Sequence, residues 1–171
     1  MPEFEFRPLT ADDFAMLQTW LARPHVAAVW DSPRSLEEIR HEYLPTITDV
    51  SSLRAYIVWQ RGRPVGFIQS YMAAEAGDGW WPDERDPGVS GIDQFLADPK
   101  DLNRGIGTAM VKAFVALLFE DPAITRVQTD PAPDNLRAIR CYEKAGFRRV
   151  GEVDTPDGRA LLMVCERPPA L

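Results

Sequence analysis

Asn103-Arg104-Gly105-Ile106-Gly107-Thr108 leads directly into the apolar stretch Ala109 to Phe119. A glycine-containing turn that opens an amphipathic helix is suited to phosphate, because unpaired backbone N–H groups and the positive end of the helix dipole converge there. Glycine lets a diphosphate come closer to the main chain than a Cβ would, and it tolerates positive φ. A G-x-G also occurs at ordinary loop-to-helix junctions, so its meaning depends on the rest of the chain. Downstream, Asn135 to Phe147 reads as a second helix that begins after Pro131 and Pro133, with Asp134 as expected N-cap, and stops at Gly146. Asn135 and Tyr142 fall on one face with the small Ala138 between them. That face offers an amide, a close-approach position and a phenol. The same spacing also fits a first-turn polar residue and a half-buried core aromatic.

Working outward, Phe4 to Leu9 reads as a strand, and Thr10-Ala11-Asp12-Asp13 opens a helix carrying Phe14, Leu17 and Leu21. Ser32-Pro33 introduces another helix, through about Tyr43. Leu53 to Trp59 and Val65 to Tyr71 are strands joined by the hairpin signal Gln60-Arg61-Gly62-Arg63. A long, glycine-rich, acidic link then reaches a strand at Val89 to Phe95; connections of that length are usually functional or mobile. Ile124 to Thr129 is the strand between the two glycine-marked helices. Phe147 to Val153 and Ala160 to Cys165 close the chain as a hairpin across Thr155-Pro156-Asp157-Gly158. The order β-α-α-β-β-β-α-β-α-β-β predicts an α/β (α+β) protein with a mixed sheet flanked by helices. No repeat or linker divides residues 1–171, so one domain is expected.

A strand, a G-x-G turn, a helix, a second strand and an N-x-x-A-x-x-x-Y-x-x-x-G-F helix resemble the GNAT superfamily of N-acetyltransferases. Gly77-Asp78-Gly79-Trp80-Trp81, Pro87-Gly88-Val89 with Gly91-Ile92-Asp93-Gln94, Gln128-Thr129-Asp130-Pro131 and the Asn135 to Phe147 helix are similar to the aminoglycoside 6'-N-acetyltransferases. The resemblance runs from about Tyr56 to Met163; before it, only Trp30-Asp31 suggests a counterpart. It implies the GNAT fold, with a largely antiparallel sheet and acetyl-coenzyme A as co-substrate. The superfamily's phosphate signature opens with Gln or Arg where this chain has Leu102, which leaves the cradle to Gly105, Ile106, Gly107 and Thr108 and to Arg104. The resemblance also places Gln94, Asn135 and Tyr142 beside the cofactor.

Acyl transfer to an amine requires a neutral nucleophile, so an ammonium substrate must lose a proton to a base. Asp93 matches the segment that carries the proposed base of the resembled family; a polar strand residue facing water is the plainer alternative. Asp130, by the same resemblance, binds a substrate ammonium; Asp-Pro chemistry equally suits an Asx turn or helix cap. Tyr142 would protonate the departing thiolate. Trp80 and Trp81 are expected to wall a sugar pocket, with Trp30 and Asp31 on another side, because aromatic faces suit sugars and ammonium groups. Alternatively one Trp pins the loop to the core.

A net charge of -7 argues against nucleic-acid binding, which needs clustered Lys and Arg, and suits a cationic amine partner. No apolar run approaches the length of a membrane span, and Met1 to Phe6 lacks the basic start of a signal peptide. A cytoplasmic location is expected. Cys141 and Cys165 are too few for a disulfide framework and read as packed thiols; His25 and His41 lack metal-site spacing, so no metal is expected. A monomer is favoured, with a dimer left open. The same chemistry on a polyamine, a siderophore precursor or a protein N-terminus remains an alternative, as does a non-catalytic module that binds acyl-coenzyme A or an aminoglycoside.

Overall fold

The computed structural model describes residues 3–30 and 35–170. Within them the chain forms β1 (Phe4–Pro8), α1 (Phe14–Leu21), α2 (Pro24–Ala27), α3 (Leu36–Ile47), β2 (Arg54–Gln60), β3 (Arg63–Met72), β4 (Val89–Leu96), α4 (Ile106–Leu118), β5 (Arg126–Thr129), α5 (Leu136–Lys144), β6 (Arg148–Thr155) and β7 (Gly158–Glu166). The strands hydrogen-bond in the order β1-β2-β3-β4-β5-β7-β6, which gives the expected mixed, mostly antiparallel sheet with helices. Contacts group the residues into two compact units, one of Met1–Gln69 with Gln94–Arg104, the other of Ser70–Asp93 with Gly105–Leu171.

The first unit is built around a helix-covered β-hairpin. Asp13 accepts the Thr10 N–H at 2.9 Å, so the expected capping chemistry fixes the entry to α1. From there the spacing of Phe14, Leu17 and Leu21 buries one face completely, against Ile39, Tyr43, Ile57 and Phe67. Each such side chain contributes roughly 1.5–3 kcal/mol by leaving water. α2 is a short helix absent from the sequence reading, started by Pro24 at its first position. α3 begins later than expected: its N-cap is Ser35, whose oxygen accepts the Glu38 N–H, and Ser32-Pro33 lie outside the described residues. The hairpin turn holds Arg61 and Gly62 at φ 52° and 75°, the left-handed pair that a two-residue loop demands.

The second unit holds β5, β6 and β7 with the first half of β4. β4 and β5 run parallel, Val89 opposite Arg126 and Gly91 opposite Gln128. A parallel pair needs a crossover, and α4 supplies it. Met110, Val111, Phe114 and Val115 form the buried stripe of α4, so its opposite side and its first turn stay available to solvent or ligand. β5 pairs antiparallel with β7, and β7 with β6 across a turn at Pro156-Asp157. Ile139 and Tyr142 form the buried stripe of α5.

Candidate active site

The glycine turn opens a helix, as its sequence suggests. Gly105 is the N-cap of α4 and takes φ 80°, a conformation that would strain other residues. The helix then runs through Leu118, and the N–H groups of Ile106, Gly107 and Thr108 in its first turn have no intrahelical partner. The Thr108 hydroxyl and the Lys144 ammonium lie near the Cys141 thiol and partly offset the effect of its burial. Arg104 precedes this turn with its side chain 66% exposed, 3.9 Å from the Asp101 carboxylate. Asp101 itself is buried and takes a two-pronged contact from Arg63 at 3.1 and 3.3 Å. It is a buried acid that the sequence reading passed over.

α5 corrects one expectation. Its N-cap is Asn135, not Asp134: the Asn135 carbonyl oxygen accepts the Ala138 N–H at 3.3 Å. Pro133 and Asp134 are still in the turn before the helix, and either residue type caps well, so composition did not separate them. Capping by Asn135 also removes the helix-cap alternative for Asp130. Tyr142 is buried, edge-on to Phe147 at 5.4 Å, on the same unit as α4. Cys141 and Cys165 are half-buried thiols, and burial raises both above the ordinary thiol value.

The acidic residues converge at the end of the parallel strand pair. Thr129 Oγ1 donates to the Ile92 carbonyl at 3.2 Å, one step beyond the Gly91–Gln128 register. Asp93 and Asp130 each follow that contact by one residue, where the β4–β5 ladder has ended, and they lie close enough to feel each other's charge. The proximity has an electrostatic signature. Burial, then the charge of Asp93, then that of Asp157 push the Asp130 carboxyl up to about 8. Asp157 comes from the turn of the β6–β7 hairpin; sequence read it only as turn chemistry.

Aromatic groups flank these acids. The Trp81 indole Nε1–H donates to the Tyr71 hydroxyl at 2.9 Å, and Trp80 lies tilted against Trp81 with ring centroids 6.2 Å apart. Burial, followed by the charges of Asp93 and Asp130, raises the Tyr71 phenol well above its usual value. The long link that carries the Trp pair is pinned at both ends. Glu84 accepts Arg126 at 2.8 Å, and a Cβ on Gly79 would stand 3.5 Å from Pro156. Gln94 follows Asp93 on β4 and is half-buried; strand alternation sends their side chains to opposite faces. Trp30 belongs to the first unit, where it packs edge-on to Phe67 and Phe95 at 5.7 and 5.2 Å. Asp31 lies outside the described residues. Among the described residues no group of three or more His, Cys, Asp or Glu is arranged to hold a metal. No helix among them is long and apolar enough to cross a membrane.

A mixed sheet with a glycine-opened α4, an Asn135-capped α5 and acids where the β4–β5 ladder ends is the arrangement of an acyl-coenzyme A dependent acyltransferase. The acetyltransferase (GNAT) domain profile matches residues 10–155, and the chain belongs to that family. It is 51% identical to aminoglycoside N(6')-acetyltransferase type 1 of Klebsiella pneumoniae, over 94% of this chain and 82% of that protein. It is 30% identical to the lysine N-acyltransferase MbtK of Mycobacterium tuberculosis, over 98% of this chain and 79% of that one. Among solved structures, AAC(6')-Ib in complex with coenzyme A and kanamycin superposes with TM-score 0.92 at 51% identity, over 96% of this chain and 95% of that one.

The cofactor site can be tested alone. Gly107 sits in the first turn of α4, where a branched side chain would intrude on a diphosphate and leave the buried stripe untouched. Gly107→Val is expected to weaken acetyl-coenzyme A binding by calorimetry in a protein that still folds. Wild-type affinity in the folded variant would remove the phosphate assignment.

Proposed function

We propose that the chain is a single-domain enzyme that transfers the acetyl group of acetyl-coenzyme A to the 6'-amine of an aminoglycoside, a resistance-type activity. The observation that supports this most is the clustering of Asp93, Asp130 and Asp157 near the Tyr71 phenol, which the Trp81 indole N–H hydrogen-bonds. Carboxylates next to an aromatic wall suit a polycationic sugar. A small flexible diamine would use the charges and leave the wall idle.

Acetyl-coenzyme A supplies the thioester carbonyl. The backbone N–H groups of Ile106, Gly107 and Thr108, with Arg104 beside them, are the residues suited to its diphosphate, and Asn135 and Tyr142 to the arm that follows. Asp130 and Asp157 hold the substrate's ammonium groups, and Trp80 and Trp81 bracket the sugar. Asp93 takes the proton from the reacting ammonium, which leaves the neutral amine able to attack in a ternary complex. Tyr142 offers its hydroxyl proton at the departing sulfur. A backbone N–H of β4 around Gln94 is the proposed donor to the oxyanion. Neither Cys141 nor Cys165 has a histidine beside it in sequence, which disfavours an acyl-enzyme. We place the enzyme in the cytoplasm, as a monomer.

Thiol release from acetyl-coenzyme A with a panel of amines tests the reading. Kanamycin is expected to be turned over repeatedly and faster than spermidine or a lysine peptide. Preference for the lysine peptide would align the chain with its lysine N-acyltransferase relatives instead. Stoichiometric drug protection without thiol release would make it a binding module.

A further inference from the structure

Tyr71 stands at the C-terminal end of β3 in a position that the chemistry described so far does not use. Its ring lies across β4 so closely that a Cβ on Gly91 would fall 2.1 Å from Cζ and 2.3 Å from the phenol oxygen. No side chain larger than hydrogen fits beneath it, so the glycine inside this strand exists to seat the ring. The Ser90 hydroxyl donates to the Tyr71 carbonyl at 3.2 Å, which fixes the backbone at the same point. The phenol oxygen is thereby held rigidly at one place, and there it accepts the Trp81 indole N–H at 2.9 Å.

Trp81 needs such a holder. Its backbone takes φ 48°, a left-handed conformation costly for a bulky residue, in a stretch without strand or helix ladders. Nearby backbone support is limited to Trp80 N–H on the Gly77 carbonyl and Glu84 N–H on the Trp81 carbonyl, at 2.9 and 3.1 Å. These leave the indole free to rotate about its own side-chain bonds. The bond to Tyr71 removes that freedom. Gln128, opposite Gly91 on β5, is buried, with Nε2 making no hydrogen bond. The Trp81 indole is therefore the polar partner that the geometry gives the phenol.

We propose that Tyr71 is a positioning residue for the acceptor site: seated on Gly91, its hydroxyl fixes the Trp81 indole as a preformed wall for the cationic sugar, and it takes no part in proton transfer. This rests on the aminoglycoside reading above. A preformed wall spares the substrate the entropy of ordering an aromatic side chain, so the effect belongs in binding and not in the chemical step.

The test is steady-state kinetics with kanamycin on wild type, Tyr71→Phe, Trp81→Phe and the double variant, joined to the exchange rate of the Trp81 indole N–H measured by NMR on 15N-tryptophan protein. Tyr71→Phe keeps the ring on Gly91 and loses only the acceptor. Its kanamycin KM is expected to rise roughly fivefold, the scale of one hydrogen bond, with kcat within about twofold and acetyl-coenzyme A KM unchanged. Trp81→Phe, which removes the donor and keeps the phenol, is expected to raise KM by at least as much, and the double variant to be no worse than Trp81→Phe alone. A merely structural tyrosine would lower stability without this KM–kcat split or this coupling. Wild-type KM in Tyr71→Phe, or full additivity with Trp81→Phe, would overturn the proposal. If wild type does not acetylate kanamycin, the aminoglycoside reading fails separately. Faster exchange of the Trp81 indole N–H in Tyr71→Phe would then still support the positioning role, and unchanged exchange would refute it.

Discussion

Asp93→Asn should lower turnover of an aminoglycoside roughly 10²-fold or more, because the lost step is proton removal from the ammonium that must become the nucleophile. Asparagine matches the carboxylate in size and can still hydrogen-bond, so β4 should keep its pairing with β5. Acetyl-coenzyme A affinity should barely change, since the proposed diphosphate site is built from backbone N–H groups at the start of α4. The pH profile carries the mechanism further. Without a base, the variant depends on the fraction of substrate already deprotonated in solution, so its rate should climb steadily with pH where the wild-type rate levels off. Tyr142→Phe should act more weakly, because a thiolate leaves readily unaided. Near wild-type turnover by the Asp93 variant at neutral pH would overturn the assignment of the base.

The second large effect is on stability. Asp130 is half-buried near Asp93 and Asp157, and its carboxyl is raised from 3.8 to about 8, by burial first and then by those charges. Between these values the folded protein keeps a proton that the unfolded chain has lost. With more protons bound in the native state, stability falls as pH rises. This group's effect is nil below about 4 and complete by about 8. At 1.36 kcal/mol per unit, the penalty above pH 8 is at most on the order of 5 kcal/mol. Asp130→Asn removes it. The unliganded variant should therefore match wild type in acid and exceed it increasingly toward alkaline pH in urea or thermal unfolding, while binding kanamycin less well. Function would then be the reason for keeping a destabilising acid. A stability difference that does not vary with pH would contradict this account.

Much of the architecture was legible because local signals agreed. The left-handed Gly105, the two-residue turn at Arg61-Gly62 and the buried stripe of α4 each follow from residue type and period. Boundaries were less so. Asp134 and Asn135 are both good caps, and only the geometry after Pro133 decides in favour of Asn135. α2 is too short for periodicity to register. In the proposed site, Asp93, Asp130, Trp80, Trp81 and Tyr142 are singled out only by strings resembling a known family; composition and spacing alone leave each with a plain structural alternative. Tyr71 was missed because a tyrosine ending an apolar strand looks like core. Its signal was Gly91: a glycine inside a strand marks a close approach, and the approaching group was the tyrosine ring. Asp157 was hidden by its turn, since Pro-Asp-Gly explains itself locally while the β6–β7 pairing brings it toward Asp130. Asp101 sits next to the glycine turn, but only the fold brings Arg63 onto it.

The central claim, that this fold acetylates the 6'-amine of an aminoglycoside, is tested most directly by incubating the protein with acetyl-coenzyme A and kanamycin and locating the acetyl group by mass spectrometry and NMR. A singly acetylated product modified at the 6' nitrogen is predicted, with no product from an otherwise similar compound bearing a 6'-hydroxyl. Acetylation at another ring amine, or equal turnover of the hydroxyl compound, would contradict it.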